Sequence, residues 1–93
     1  MTYDVNYTTR FFKSYKRALK RGLPQSEIDD VIEKLRTGKH LEAKFKDHAL
    51  AGEYRGMREC HIRPDWLLVY KKIETKLLLI LIDTGSHSYL FKK

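Results

Sequence analysis

The chain has little of what cross-links or interrupts a fold. Its 93 residues include a single cysteine, Cys60, so no disulfide can form within the chain. A chain without such a staple fits a reducing cytoplasm better than secretion. Two prolines and five glycines leave no linker and no low-complexity tract. The longest aliphatic run, Leu77 to Ile82, is far short of the roughly 20 residues a membrane span needs. No basic region near Met1 leads into an apolar stretch, so no secretory leader and no membrane partner are expected. Acids are the scarcer charge, 12 against 19 lysines and arginines, giving a net +7. That excess on so short a chain favours a polyanionic partner, nucleic acid above all. A hydrophobic fraction of 42 % supports one core, so residues 1–93 are expected to form one domain.

What is present falls into a clear order. Tyr3, Val5 and Tyr7 alternate and predict a short strand. Thr8 or Thr9 can cap a following helix, in which Phe11, Phe12, Tyr15, Ala18 and Leu19 form an apolar stripe. Arg10, Lys13, Lys16, Arg17, Lys20 and Arg21 share that segment with no acid among them. Basic residues in a helix's first turn oppose its dipole, so the cationic face suggests a partner rather than helix stability. Gly22 stops the helix and Pro24 opens the next, with Ser26 and Asp29 as a variant capping box. Ile28, Val31, Ile32 and Leu35 follow helical spacing up to Gly38. Residues 39–52 lack periodicity and read as a loop. Strands are expected over 54–62, 66–72 and 76–83, with Arg63-Pro64-Asp65 as one turn and residues 72–75 as another. The predicted fold is α+β: an N-terminal strand and a two-helix hairpin packed on one face of an antiparallel sheet of about four strands. Strand alternation puts His61 on a face with Arg55, Met57 and Glu59, opposite Arg58, Cys60 and Ile62.

Chemistry concentrates in three imidazoles and one carboxylate: His48, His61, His87 and Asp65. His40, at a helix end, is assigned no function. A metal site is weakly supported, since neither an HxH nor an HExxH spacing occurs; no metal and no cofactor are expected. Metal-free RNA cleavage uses more of the chain's features. The 2′-hydroxyl attacks the phosphorus when one group removes its proton and another protonates the departing 5′-oxygen. Imidazole serves both roles because its ordinary pKa is about 6.5. Arg58, Arg63, Lys44 and Lys46 are candidates to stabilise charge on the phosphate, and Trp66 or Phe91 to hold an unstacked base.

Three segments carry a family resemblance: KDHALAG at 46–52, RECHIRPDWLLVY at 58–70 and TGSHSYLF at 84–91. The sequence resembles the YafQ-like branch of the RelE/ParE toxin superfamily, the toxins of bacterial type II toxin–antitoxin systems. The resemblance spans the whole chain. It implies a RelE-like fold and endoribonucleolytic cleavage of mRNA, in many relatives at the ribosomal A site. It also implies inhibition by a cognate antitoxin. The family's functional positions fall on His48, His61, Asp65, Trp66, His87 and Phe91, with His87 the leading general acid. Ser86 and Tyr89 depart from the family's usual residues, and Tyr89 adjoins the site. An acidic and apolar antitoxin segment would lie across Arg10 to Arg21. The alternative is a non-catalytic basic toxin, or a nucleic-acid- or topoisomerase-binding module of the same fold.

Overall fold

The computed structural model describes residues 2–91. Its elements run β1 (Asp4–Tyr7), α1 (Thr9–Lys20), α2 (Gln25–Arg36), β2 (His48–Ala49), β3 (Arg58–Arg63), β4 (Trp66–Ile73), β5 (Leu78–Gly85) and α3 (His87–Phe91). Thr8 starts α1: its extended backbone lets Oγ1 accept the Phe11 amide at 2.9 Å. The same hydroxyl donates to the Ile82 carbonyl at 2.6 Å, tying the helix start to β5. Gly22, at φ +91°, ends the segment in the left-handed region that glycine enters without steric cost. The capping box expected at Ser26 and Asp29 does not form. Pro24 is the cap residue of α2, with no side-chain bond to the helix. Asp29 instead accepts a hydrogen bond from the Tyr15 hydroxyl, and Glu27 binds Arg63. Both acids link elements rather than closing their own helix.

The sheet has five strands in the order β1-β5-β4-β3-β2 and is mixed. β1 runs parallel to β5, and the other pairs are antiparallel. This adds to the expected sheet one short strand, β2, and one parallel pairing. The strand expected over 54–62 begins only at Arg58, because residues 52–54 form a 3-10 turn. Between β4 and β5 a 3-10 turn over Glu74–Lys76 ends at Leu77, at φ +48°, where a glycine would have been easier.

Both faces of the central strands are covered, which explains the unbroken apolar run Trp66 to Tyr70. On one face Phe11, Ile28, Val31 and Leu35 of the two long helices pack with Cys60, Leu68, Tyr70 and Leu79. On the other, Leu67 and Val69 pack with Leu50, Met57, Leu90 and Phe91. α3 supplies the second cover, and residues 87–91 are too few for periodicity to reveal it. Cys60 is fully buried and its thiol is pushed up to about 12 by loss of solvation, with the negative charges of Asp47 and Glu59 adding to it. Reactivity needs thiolate and access. Native protein treated with iodoacetamide at neutral pH is therefore expected to gain no adduct by mass spectrometry, and denatured protein one. An adduct on the native chain would contradict the packing.

Candidate active site

The site begins with the register of β2 on β3, which sets His48 opposite Glu59. His61 stands two residues further along β3 and pairs with Leu67. By alternation His48, Glu59 and His61 share the sheet face turned away from α1 and α2. Pro64 and Asp65 make the turn into β4, and a bulge between His61 and Arg63 brings the strand end round. β5 then delivers His87 at the first position of α3. The three rings form a row, with centroids 6.4 Å apart for His48–His61 and 5.4 Å for His61–His87.

Each end of the row rests on a carboxylate. His87 Nδ1 lies 2.7 Å from Asp65 Oδ1, which also accepts the His87 backbone N–H at 3.0 Å. Those two hydrogen bonds hold the Asp65 carboxyl below the ordinary aspartate range. The stabilisation this gives is complete above about pH 4, the unfolded value, and is lost as pH falls through the lowered one. With Nδ1 occupied, Nε2 of a half-exposed ring is the atom left for a substrate. Glu59 serves the other two rings: its Oε1 is 3.3 Å from His61 Nε2 and 3.7 Å from His48 Nε2. Only 5 % of that side chain is exposed, so it needs a cationic partner, and the two imidazoles, when protonated, are the ones beside it. His48 Nδ1 is fixed by the Lys46 carbonyl at 2.7 Å.

The remaining sequence candidates divide. Lys44, Lys46 and Arg63 line a cavity of about 680 Å³ together with His61 and His87. Arg63, however, is held in a two-pronged ion pair by Glu27, both contacts at 2.8 Å. Arg58 sits on the opposite face, bound to Asp47 at 3.2 and 3.4 Å. Asp47 also accepts the hydroxyl of buried Tyr70, whose pKa is raised by burial and by that carboxylate. Arg58 thus belongs to a network anchoring the loop before β2 and is not brought to the histidines. Trp66 is buried, its indole N–H donating to Thr84 Oγ1 at 3.1 Å. Phe91 packs edge-on against Tyr54 at 5.3 Å. Neither ring lies in the histidine row.

Glu59 is the residue that sequence reasoning passed over as chemistry, although alternation had already put it on the face of His61. Glu59, His61 and His87 offer ligand atoms within 4.8 Å of one another, a set able to hold a borderline divalent ion.

Residues 3–92 match the family model described as the bacterial toxin of type II toxin–antitoxin system, YafQ. The chain belongs to the YafQ toxin family. The mRNA interferase toxin YafQ of Escherichia coli strain K12 is 36 % identical over 89 residues, 95 % of each chain. In the crystal structure of the E. coli DinJ–YafQ toxin–antitoxin complex, the matching chain is 35 % identical. It covers 98 % of this chain and 99 % of that one, with a TM-score of 0.89. A metal-bound toxin from Helicobacter pylori superposes with a TM-score of 0.90 at 37 % identity, covering 98 % of this chain and all of that one. The matches therefore cover the sheet, both long helices and the whole histidine row. At the YafQ-family departures, Ser86 Oγ accepts the Tyr89 amide at 3.1 Å, and the Tyr89 hydroxyl bonds Ser14 at 2.9 Å.

Proposed function

We propose that this single-domain chain is an endoribonuclease toxin, an mRNA interferase, that acts in the cytoplasm and is neutralised by an antitoxin. The observation that carries the reading is the row of three imidazoles, with His87 fixed on Asp65 by Nδ1 and open at Nε2. The name of the E. coli relative and the partner in the DinJ complex support it. Among the described residues no helix is long and apolar enough to cross a membrane.

In this mechanism the substrate's 2′-hydroxyl is the nucleophile. Its proton passes to a base drawn from His48 and His61, both backed by the Glu59 carboxylate. The oxygen attacks the adjacent phosphorus, and Lys44 and Lys46 face the added negative charge. His87 in its imidazolium form gives its Nε2 proton to the 5′-oxygen as that bond breaks. Asp65 holds the ring's other N–H, fixing orientation and balancing the charge before transfer. The products are a 2′,3′-cyclic phosphate and a 5′-hydroxyl.

A metal-assisted reading competes, because Glu59, His61 and His87 can hold an ion. End analysis of RNA cut by purified protein, with and without EDTA and with and without ribosomes, separates the two. Cyclic phosphate ends and EDTA-resistant cleavage are expected. Loss of cleavage in EDTA with recovery on adding zinc would replace the acid–base scheme. RNA binding with no cleavage in any condition would leave the non-catalytic alternative.

A further inference from the structure

A second cavity, of about 520 Å³, lies between α1 and the junction of β5 with α3, within the roughly 300–1,000 Å³ typical of ligand sites. Ser14, Arg17, Ala18 and Arg21 reach it from one helix stripe, at the i, i+3, i+4, i+7 spacing. Asp65 and Tyr89 reach it from the other side. It therefore adjoins the first cavity at the Asp65–His87 pair, with His87 lining one and Asp65 the other.

Both cavities keep cations that no carboxylate neutralises. In the first, Arg63 is paired with Glu27 and Lys34 with Asp30, which leaves Lys44 and Lys46 without an ion pair among the described residues. In the second, neither Arg17 nor Arg21 makes an ion pair among the described residues, and the sole acid lining it, Asp65, is committed to His87. Unneutralised guanidinium groups beside a cavity are suited to phosphate. The place is also built rather than loose. The Arg17 guanidinium lies over the Tyr89 ring at 5.3 Å, and the Tyr89 hydroxyl is held by Ser14 at 2.9 Å. A Cβ at position 85 would come within 2.5 Å of the Tyr89 ring, so Gly85 is what allows the ring this position. Tyr89 is nonetheless 41 % exposed, an aromatic held open to solvent.

We propose that this cavity is a subsite for a nucleotide flanking the cleaved bond, with Arg17 and Arg21 on its phosphate and its base against the Tyr89–Arg17 stack. The proposal rests on the endoribonuclease reading and extends it from the bond cut to the strand around it. RNA passing over His87 runs from the Lys44–Lys46 cavity into this one. Stacking of bases on tyrosine and on planar guanidinium groups is a common way of holding unpaired RNA.

The test uses the full chain and a short RNA carrying 2′-O-methyl groups throughout, which lacks the nucleophile and cannot be cut. Its binding is followed by fluorescence anisotropy over a salt series, for wild type and Arg17→Ala/Arg21→Ala. The double variant is expected to bind at least about tenfold more weakly, since each arginine lost removes a charge-assisted contact. The slope of log K against log[salt] should become shallower by about 0.7 for each arginine lost. Tyr89→Ala should weaken binding while leaving that slope in place. Both arginines are exposed, so unfolding temperatures should match wild type. Unchanged affinity and slope overturn the subsite. Unchanged RNA binding together with lost co-purification of the antitoxin would also overturn it, making the cavity an antitoxin seat. Unmodified RNA in a translation extract is the parallel arm. If wild type does not cut there, the nuclease reading fails while the binding series still decides the cavity. If wild type and the double variant cut equally and at the same positions, the subsite alone fails.

Discussion

Replacing His87 by alanine is expected to lower RNA cleavage by about 10²–10⁴-fold, the contribution typical of one positioned acid, with little change in unfolding temperature. The fold loses only the solvent-exposed contact of Nδ1 with Asp65. The imidazole is about half exposed, and the backbone N–H that anchors α3 on Asp65 remains after truncation. The loss should fall on turnover, because the proton is needed only as the 5′-oxygen departs. Asp65→Asn gives a graded control. An amide oxygen there can still accept from the imidazole and from the backbone, but the negative charge that balances an imidazolium is gone. Its cleavage rate should lie between those of wild type and His87→Ala. The measurement is 5′-end mapping and initial rate on one RNA for the three proteins. An alanine variant retaining more than a tenth of wild-type rate would remove His87 from the acid's role.

Trp66→Ala is expected to lose roughly 3–5 kcal/mol, the usual range for deleting a core aromatic. That is a large part of the stability of a chain this size. Trp66 is 3 % exposed, packs among the residues facing the long helices, and spends its one donor on Thr84. Trp66→Phe keeps most of the apolar volume, including the apolar wall the ring gives the second cavity. Thr84 still donates to the Leu67 carbonyl at 2.6 Å, so no buried donor is orphaned. The phenylalanine variant should therefore lose only about 1–2 kcal/mol, one hydrogen bond and a partly filled gap, and should cut RNA at nearly the wild-type rate. Chemical denaturation followed by cleavage assays of both variants separates packing from base contact. If Trp66→Phe were fully stable yet inactive, the indole would be a substrate contact after all, as the sequence suggested.

Much of the site was legible because strand alternation is local. Knowing only that residues 58–63 are extended places His61 with Glu59 and against Cys60, and the β3–β4 pairing keeps that division. The helix stop at Gly22 and the turn at Pro64 were legible for the same reason, since each follows from the backbone freedom of one residue. The absence of any acid from residues 10–21 likewise marked the charged helix.

What tertiary structure decided is which charges are already satisfied. Arg58, Arg63, Arg17 and Arg21 look alike in a sequence. Folding gives Asp47 to the first and Glu27 to the second, from residues 11 and 36 positions away. The last two it leaves unpaired among the described residues, beside Tyr89. Whether Glu59 is chemistry or a solvated surface acid depends on the two-residue strand β2, too short to show a period, which brings His48 across from it. Likewise β1 finds β5 across more than seventy residues, a pairing no local pattern encodes. Side-chain direction is a property of each residue's own backbone, so the chain alone determined the faces. Charge pairing depends on contacts between distant segments, so only the folded molecule could assign the partners.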